Sequence, residues 1–188
     1  MLMQYEDEEL IERYLEGDDR ALGVLVDRYL KPVYNLVFRL TGDAQAADDI
    51  TQESFVKAWK HIRSFRRGES FKAWLFRIAR NTAIDWLRRK KDVPLSTFDD
   101  EEGGNFFEAS IVDEEPLQDE MFARAEESHA MAELLDALAP QYREVVMLRH
   151  TSNLTFEEIG DIVHRPLHTV KSQYRRALII LRGMLEGG

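Results

Sequence analysis

The residues best able to do chemistry lie between Arg63 and Lys91, in RSFRRGESFKAWLFRIARNTAIDWLRRKK. On a helix that starts near Glu69, Phe71, Leu75, Ile78, Ala79, Thr82 and Trp86 fall on one side, an apolar stripe of helical period. Arg77, Arg80, Asn81, Ile84, Arg88 and Lys91 fall on the opposite side, and Trp74 sits on the border between the two. Ahead of this helix, Ser64, Phe65, Arg66, Arg67 and Gly68 make a short loop, aromatic and cationic around a flexible glycine, with Ser70 beyond it. A basic stripe beside aromatic faces suits a nucleic-acid backbone held electrostatically while exposed bases stack. The same pattern equally describes a solvated cationic face on an amphipathic helix with core aromatics.

A second candidate precedes it. From about Asp43 to Ile62 the spacing predicts a helix that buries Ala44, Ala47, Thr51, Phe55, Ala58 and Ile62, with Trp59 at the margin. The opposite face carries Asp49, Gln52, Glu53, Val56 and Lys60. A solvated charged face is one reading, but Val56 is apolar in the middle of it and points to a protein contact. Asp48, Asp49 and Glu53 could also ligate a divalent ion, as in all-helical nucleotide pyrophosphohydrolases. That needs a second carboxylate-bearing helix at matched spacing, which no other helical stretch clearly supplies. The expectation is therefore no catalytic residue, no metal site and no cofactor.

The third candidate closes the chain. Thr155 is placed to cap a helix over Phe156–Val163, with Glu158 as its capping-box partner. His164-Arg165-Pro166 make a turn, and Pro166 suits the entry to a final helix running to about Leu185. On that helix Val170, Tyr174, Ala177, Leu178 and Leu181 share an apolar face. His168, Lys171, Ser172, Arg175, Arg176 and Arg182 lie opposite, with no acid among them. Two helices joined by a tight turn, the second basic on its outer face, describe a helix-turn-helix whose second helix enters a major groove. A structural helical hairpin is the alternative, since His164 stands where such turns often have glycine.

These stretches sit in an all-helical chain. Residues 5–16 predict a short amphipathic helix ended by Gly17. Asp18 and Asp19 can cap the next, which Pro32 is expected to kink or divide before Thr41-Gly42 stops it. Periodicity fails from Asp92 to about Glu120, where Pro, Gly, Ser and acidic residues predict a flexible linker. Beyond Met121, Met131, Leu134, Leu135 and Leu138 form an apolar face stopped by Pro140, and Tyr142, Val145, Val146 and Leu148 belong to the following helix. The expected architecture is two small all-α domains, 1–91 and 121–188, joined by an acidic linker over 92–120, the second domain a helix-turn-helix.

Composition narrows the class further. The 188 residues carry a formal net charge of −10, which argues against nucleic acid only until its distribution is considered. Positive charge dominates Arg63–Lys91 and Arg165–Arg182, whereas negative charge crowds the N-terminus and Asp99–Glu127. Local field, not the sum, decides where a polyanion binds. The absence of cysteine excludes a disulfide framework and a thiolate metal site. No apolar run is long enough to span a membrane, and MLMQYEDEEL lacks the pattern of a signal peptide, so a cytoplasmic protein without membrane insertion is expected.

Taken together, these residues resemble a known family. Asp48-Asp49-Ile50-Thr51-Gln52-Glu53-Ser54-Phe55 with Ala58-Trp59 is similar to the core-polymerase-binding segment of bacterial sigma factors. Phe71 to Asn81, FKAWLFRIARN, with Ile84-Asp85 and Arg88-Arg89, is similar to their promoter-melting segment. Leu138 to Val145, Glu158-Ile159-Gly160 and Thr169-Val170-Lys171-Ser172 resemble their distal promoter-binding domain. The short form resembles the extracytoplasmic-function branch of the sigma-70 family. The resemblance implies that Asp48, Asp49, Gln52, Glu53 and Val56 dock on the clamp helices of the polymerase β′ subunit. It implies that Phe65, Arg66, Arg67, Ser70, Trp74, Arg77, Arg80, Asn81 and Arg88 take and melt the −10 element, one base flipping into the 65–70 loop. His168, Thr169, Lys171, Ser172, Arg175 and Arg176 would read the −35 element. It also implies a β-flap contact, the linker threading the polymerase channels, and an anti-sigma factor as a further class of partner. A helix-turn-helix regulator that acts without polymerase is the alternative, but it leaves the Asp49/Gln52/Glu53 face unexplained; a metal-dependent nucleotide hydrolase is a more remote one.

Overall fold

Acidic residues open the first helix, α1 (Asp7–Leu15), where negative charge meets the positive end of the helix dipole. The Glu6 amide donates to Glu9 Oε2 at 3.2 Å, and Gly17, at φ 103°, turns the chain out of the helix. Leu10 and Ile11 are buried. Asp7 fastens this helix to the next by accepting from the Arg28 guanidinium and the Tyr29 hydroxyl. Burial, and then the bond to Asp7, raise the Tyr29 phenol well above its ordinary value. The computed structural model describes residues 4–91, 134–150 and 152–186. The expected linker, and Met131 with it, lie outside the described residues.

Helix α2 (Asp19–Thr41) starts at Asp18, whose carboxylate accepts from the Arg20 amide at 3.2 Å, and stops at Gly42, φ 65°. It runs unbroken through Pro32, so the chain is not divided there. Its buried residues Leu25, Tyr29, Val33, Leu36 and Val37 continue one face across the proline, so packing on both sides outweighs one lost backbone hydrogen bond. Helix α3 (Ala44–His61) is capped by Asp43, which accepts from the Ala46 amide at 3.1 Å. Its buried face uses Ala46, Ala47, Ile50, Thr51, Ser54, Phe55 and Ala58, several of them small enough for close helix approach. Ala44, expected inside, is exposed, because the true face is turned toward Ile50 and Ser54.

A single 3₁₀ turn at Ile62–Ser64 leads to the loop and then α4 (Phe71–Lys91), whose first turn is capped by Ser70 Oγ accepting from the Ala73 amide at 3.2 Å. Phe71, Leu75, Ala79 and Thr82 are buried as expected, but so are Phe76, Arg80, Ala83, Ile84 and Leu87. Helix α4 touches α2 and α3 and also the short helix at Phe156–Val163, so it is covered on more than one side. That is the physical reason Arg80 and Ile84 leave the expected exposed stripe.

Farther along, 134–137 form a helical turn, followed by α5 (Pro140–His150), α6 (Phe156–Val163) and α7 (Leu167–Glu186). Helix α6 has the expected capping box, with Thr155 Oγ1 accepting from the Glu158 amide at 3.2 Å and Glu158 Oε2 accepting from the Thr155 amide at 2.8 Å. His164 takes the left-handed position at φ 57° that glycine more often fills. The Pro166 carbonyl then accepts from the Thr169 and Val170 amides as α7 begins. Two compact units result. One contains α1–α4 together with Leu154–Arg165; the other contains α5 and α7, which pack on one another, bury Val145, Leu148, Val170, Ala177 and Leu181, and share a His150–Tyr174 hydrogen bond of 2.6 Å. All regular structure among the described residues is helical.

Asp43 also closes the far end of the first unit, since Lys90 Nζ on α4 donates to its Oδ2 at 2.8 Å. The Lys90 bond first, and the Ala46 amide second, hold its carboxyl below the ordinary 3.8. A carboxylate lowered by folding stabilises the folded chain above its ordinary value and loses that contribution as pH falls through the lowered one. Asp43→Asn keeps a capping oxygen but loses the charge. It should melt earlier than the parent at neutral pH, with the gap closing below pH 3.8 in a series of thermal melts.

Candidate nucleic-acid interface

Three surfaces carry the residues singled out from the sequence. On α3, Asp48, Asp49, Gln52, Glu53 and Val56 are all exposed, opposite Ile50, Thr51, Ser54 and Phe55, which are buried. Glu53 pairs with Lys57 at 2.8 Å, and Gln45 donates to Asp49 at 3.4 Å, so the polar rim is laced along the helix. Val56 is 50% exposed at its centre, an apolar side chain that intramolecular packing leaves in solvent.

The loop and α4 form the second surface. Phe71 is its anchor: its ring stacks on Trp59 of α3 (centroids 6.3 Å, planes 9° apart) and meets Tyr29 of α2 edge-on at 5.7 Å. Phe65 rests on this platform, perpendicular to Phe71 at 5.7 Å and tilted on Trp74 at 5.6 Å, and stays half-buried. Edge-to-face pairs of this kind fix ring orientation as well as adding attraction. Arg66 and Arg67 project from the loop, exposed, and Gly68 turns it at φ 84°. Trp74 is only 9% exposed, Arg77 is half-buried, and Asn81 and Arg88 face solvent. Arg80 is 4% exposed and belongs to the packing in this structure. Lys72, half-buried beside them, has its ammonium pushed below its ordinary value by burial, against the opposing charges of Glu158 and Asp7.

The third surface is α7. His168, Lys171, Ser172 and Arg175 are exposed and Thr169 and Arg176 half-exposed, while Val170, Gln173, Tyr174 and Ala177 are buried on the other side. The expected two faces are therefore present, with Gln173 added to the buried one. Lys171 and Arg175 stand one turn apart at the N-terminal half of the helix.

Comparison with known proteins assigns these surfaces to a family. Residues 25–93 match the model of Sigma-70 region 2 and residues 128–181 that of Sigma-70 region 4. The chain is 34% identical over 179 residues to the ECF RNA polymerase sigma factor SigW of Bacillus subtilis, covering 94% of this chain and 95% of the relative. The chain belongs to the extracytoplasmic-function sigma factors. It is likewise 34% identical to the RNA polymerase sigma-H factor of Pseudomonas aeruginosa over 94% of this chain and 92% of that one. Among solved structures, the sigma factor RpoE in complex with the anti-sigma factor NepR from Bartonella quintana superposes with a TM-score of 0.63, at 25% identity over 88% of this chain and 96% of that one. CnrH in complex with the cytosolic domain of CnrY shares the fold, with a TM-score of 0.68 at 24% identity over 96% of this chain and 97% of that one. The α3 face and the α4 stretch thus fall within region 2, and α7 up to residue 181 within region 4. As a sigma factor the chain directs promoter-specific initiation of transcription.

Sequence reasoning missed one part of this site. Glu8 and Glu12 on α1 reach the 65–68 loop, Glu8 Oε1 accepting from the Gly68 amide at 2.7 Å and Glu12 pairing with Arg67. No spacing rule relates positions 60 residues apart, so only the fold could bring them together. Because Phe71 holds α2, α3, the loop and Trp74 at once, Phe71→Ala should cost about 3–5 kcal/mol of stability. Denaturant melts of the variant will measure that loss, with the emission of Trp59 and Trp74 shifting to the red as solvent reaches them.

Proposed function

We propose that this sigma factor engages core RNA polymerase through the α3 face of Asp48, Asp49, Gln52, Glu53 and Val56, its target being the clamp helices of the β′ subunit. The loop at 65–70, with Trp74, Arg77, Asn81 and Arg88, then holds the non-template strand of the −10 element and helps open it. His168, Thr169, Lys171, Ser172, Arg175 and Arg176 on α7 read the −35 duplex, residues near the helix start reaching base edges and the arginines meeting phosphates. In this division of labour 1–91 is the domain for polymerase and −10 DNA, and 121–188 the domain for −35 DNA. The protein acts as an initiation factor and leaves phosphoryl-transfer chemistry to the polymerase. An anti-sigma factor that covers the same surfaces is a further class of partner.

The observation that carries this reading is the half-exposed Phe65, held on a fixed aromatic platform between Arg66, Arg67 and the Trp74 edge. An aromatic edge kept partly in solvent beside exposed cations suits an unpaired base better than it suits the core. Arg80, expected on the same surface, is packed inside the unit at 4% exposure.

The polymerase face is tested by Gln52→Ala combined with Glu53→Lys. Affinity for core polymerase should fall in a titration while helicity is kept, since reversing a rim charge alters association more than stability.

The melting surface is tested by Phe65→Ala. Base–aromatic stacking is worth roughly 1–3 kcal/mol per base, so opening should weaken by about one to two decades. The variant holoenzyme should still form and still hold −35 DNA, yet show reduced permanganate reactivity of promoter thymines on linear templates. A pre-opened bubble should restore part of the activity. Equal reactivity at matched occupancy would make the loop a connector only.

A further inference from the structure

We infer that α1 is a positioning element for DNA capture, with Glu8 and Glu12 holding the 65–68 loop in the shape that receives an unpaired base. The inference deepens the reading of the loop given above and rests on it. Helix α1 precedes the residues matched by the region 2 model, which begin at 25.

The contacts form a chain from the core outward. Asp7 is bound by Arg28 and Tyr29 of α2, and Leu10 and Ile11 are buried, so the helix itself is fixed. From that fixed base Glu8 Oε1 accepts the Gly68 amide proton at 2.7 Å, and Glu12 pairs with the Arg67 guanidinium. Gly68 sits at φ 84°, a conformation that L side chains rarely adopt. A loop of two arginines and such a glycine would sample many shapes if nothing held it. A carboxylate on its one turning amide, and another on the neighbouring cation, select one shape before DNA arrives. Selecting it in advance lowers the ordering cost of binding.

Between α1 and the loop lies a groove of about 200 Å³, walled by Ile11, Leu15, Ile62 and Phe65 and edged by Glu8 and Glu12. Phe65, the residue the proposed function sets against the unpaired base, lines this groove together with Ile11 and Leu15 of α1. The carboxylates do not use up the loop's positive charge. The Arg66 side chain is 84% exposed and that of Arg67 77%, which leaves both open to a phosphate. The main bond from Glu8 goes to a backbone amide, whose effect is on shape rather than on charge. This distinguishes a positioning role from competition with DNA.

The test uses holoenzyme assembled with core polymerase and a single-stranded DNA pool of randomised sequence. Bound and free fractions are sequenced to give both retention and base preference. Glu8→Ala should lower retention about three- to tenfold, the weight of one hydrogen bond, and flatten preference at a single position. Glu8→Gln, whose amide oxygen can accept the same proton, should restore both. Glu12→Gln, a surface change that leaves the packing untouched, should give a smaller loss in the same direction, and it serves if Glu8→Ala melts early. Parental retention and preference in Glu8→Ala and Glu12→Gln would overturn the inference. So would a rise in retention, which would make α1 a competitor for the loop. Phe65→Ala is run alongside. A loss there without one in the α1 variants removes this inference alone, whereas no loss in any variant removes the loop reading together with it.

Discussion

The ring of Phe71 is the contact on which the N-terminal unit depends. It is the first residue of α4, and Tyr29 from α2, Trp59 from α3, Phe65 from the loop and Trp74 one turn ahead all meet it. Aromatic side chains can do this because each covers a large area and prefers a definite angle to its neighbours. Helix packing alone would leave the loop between α3 and α4 tied only at its ends. With Phe65 seated against Phe71 and Trp74, the position of the loop follows from the position of the core. On the proposed reading, the surface for single-stranded DNA is thereby built as an extension of the packing, its geometry set by the core.

The charge pattern is compatible with that arrangement although the chain as a whole is acidic. The exposed carboxylates of α3 lie on the face opposite its buried residues, and the exposed cations of the loop and α7 lie on others. Separation by helix face keeps an acidic surface and basic surfaces apart on one small protein, which is what the proposed protein and DNA contacts require. Acidic residues also serve inside the N-terminal unit. Asp7, Asp18 and Asp43 each end up on a backbone amide, a hydroxyl or a cation that fixes a helix terminus. Part of the negative sum is thus structural.

Helix α4 shows what double burial does to a motif. Its sequence has the spacing of a helix with one apolar side and one basic side, but the described structure covers it with α2, α3 and α6. Arg80 and Ile84 pass from the expected open side into the packing, while Asn81 and Arg88, rotated away, remain in solvent. The basic stripe is thus reduced to the half-buried Arg77 and the exposed Asn81 and Arg88, apart from the exposed arginines of the loop.

Most of the local structure was legible in the residues themselves. Asp18, Asp43 and Thr155 mark helix starts, and Gly17 and Gly42 mark ends, because capping depends on the residue and its near neighbours. The polar face of α3 and the basic face of α7 followed from a period of 3.6, which needs only the helix to exist. Family membership was legible for the same reason, since its motifs are local strings in a fixed order. Other features needed the fold. Pro32 stays within an unbroken helix because buried residues on both sides hold it. Arg80 is inside because α4 is covered on more than one side. Glu8 and Glu12 meet the loop because Asp7 locks α1 onto α2. In each of these the deciding partner is distant in sequence, and a pattern confined to one helix cannot register a contact that only a second helix supplies.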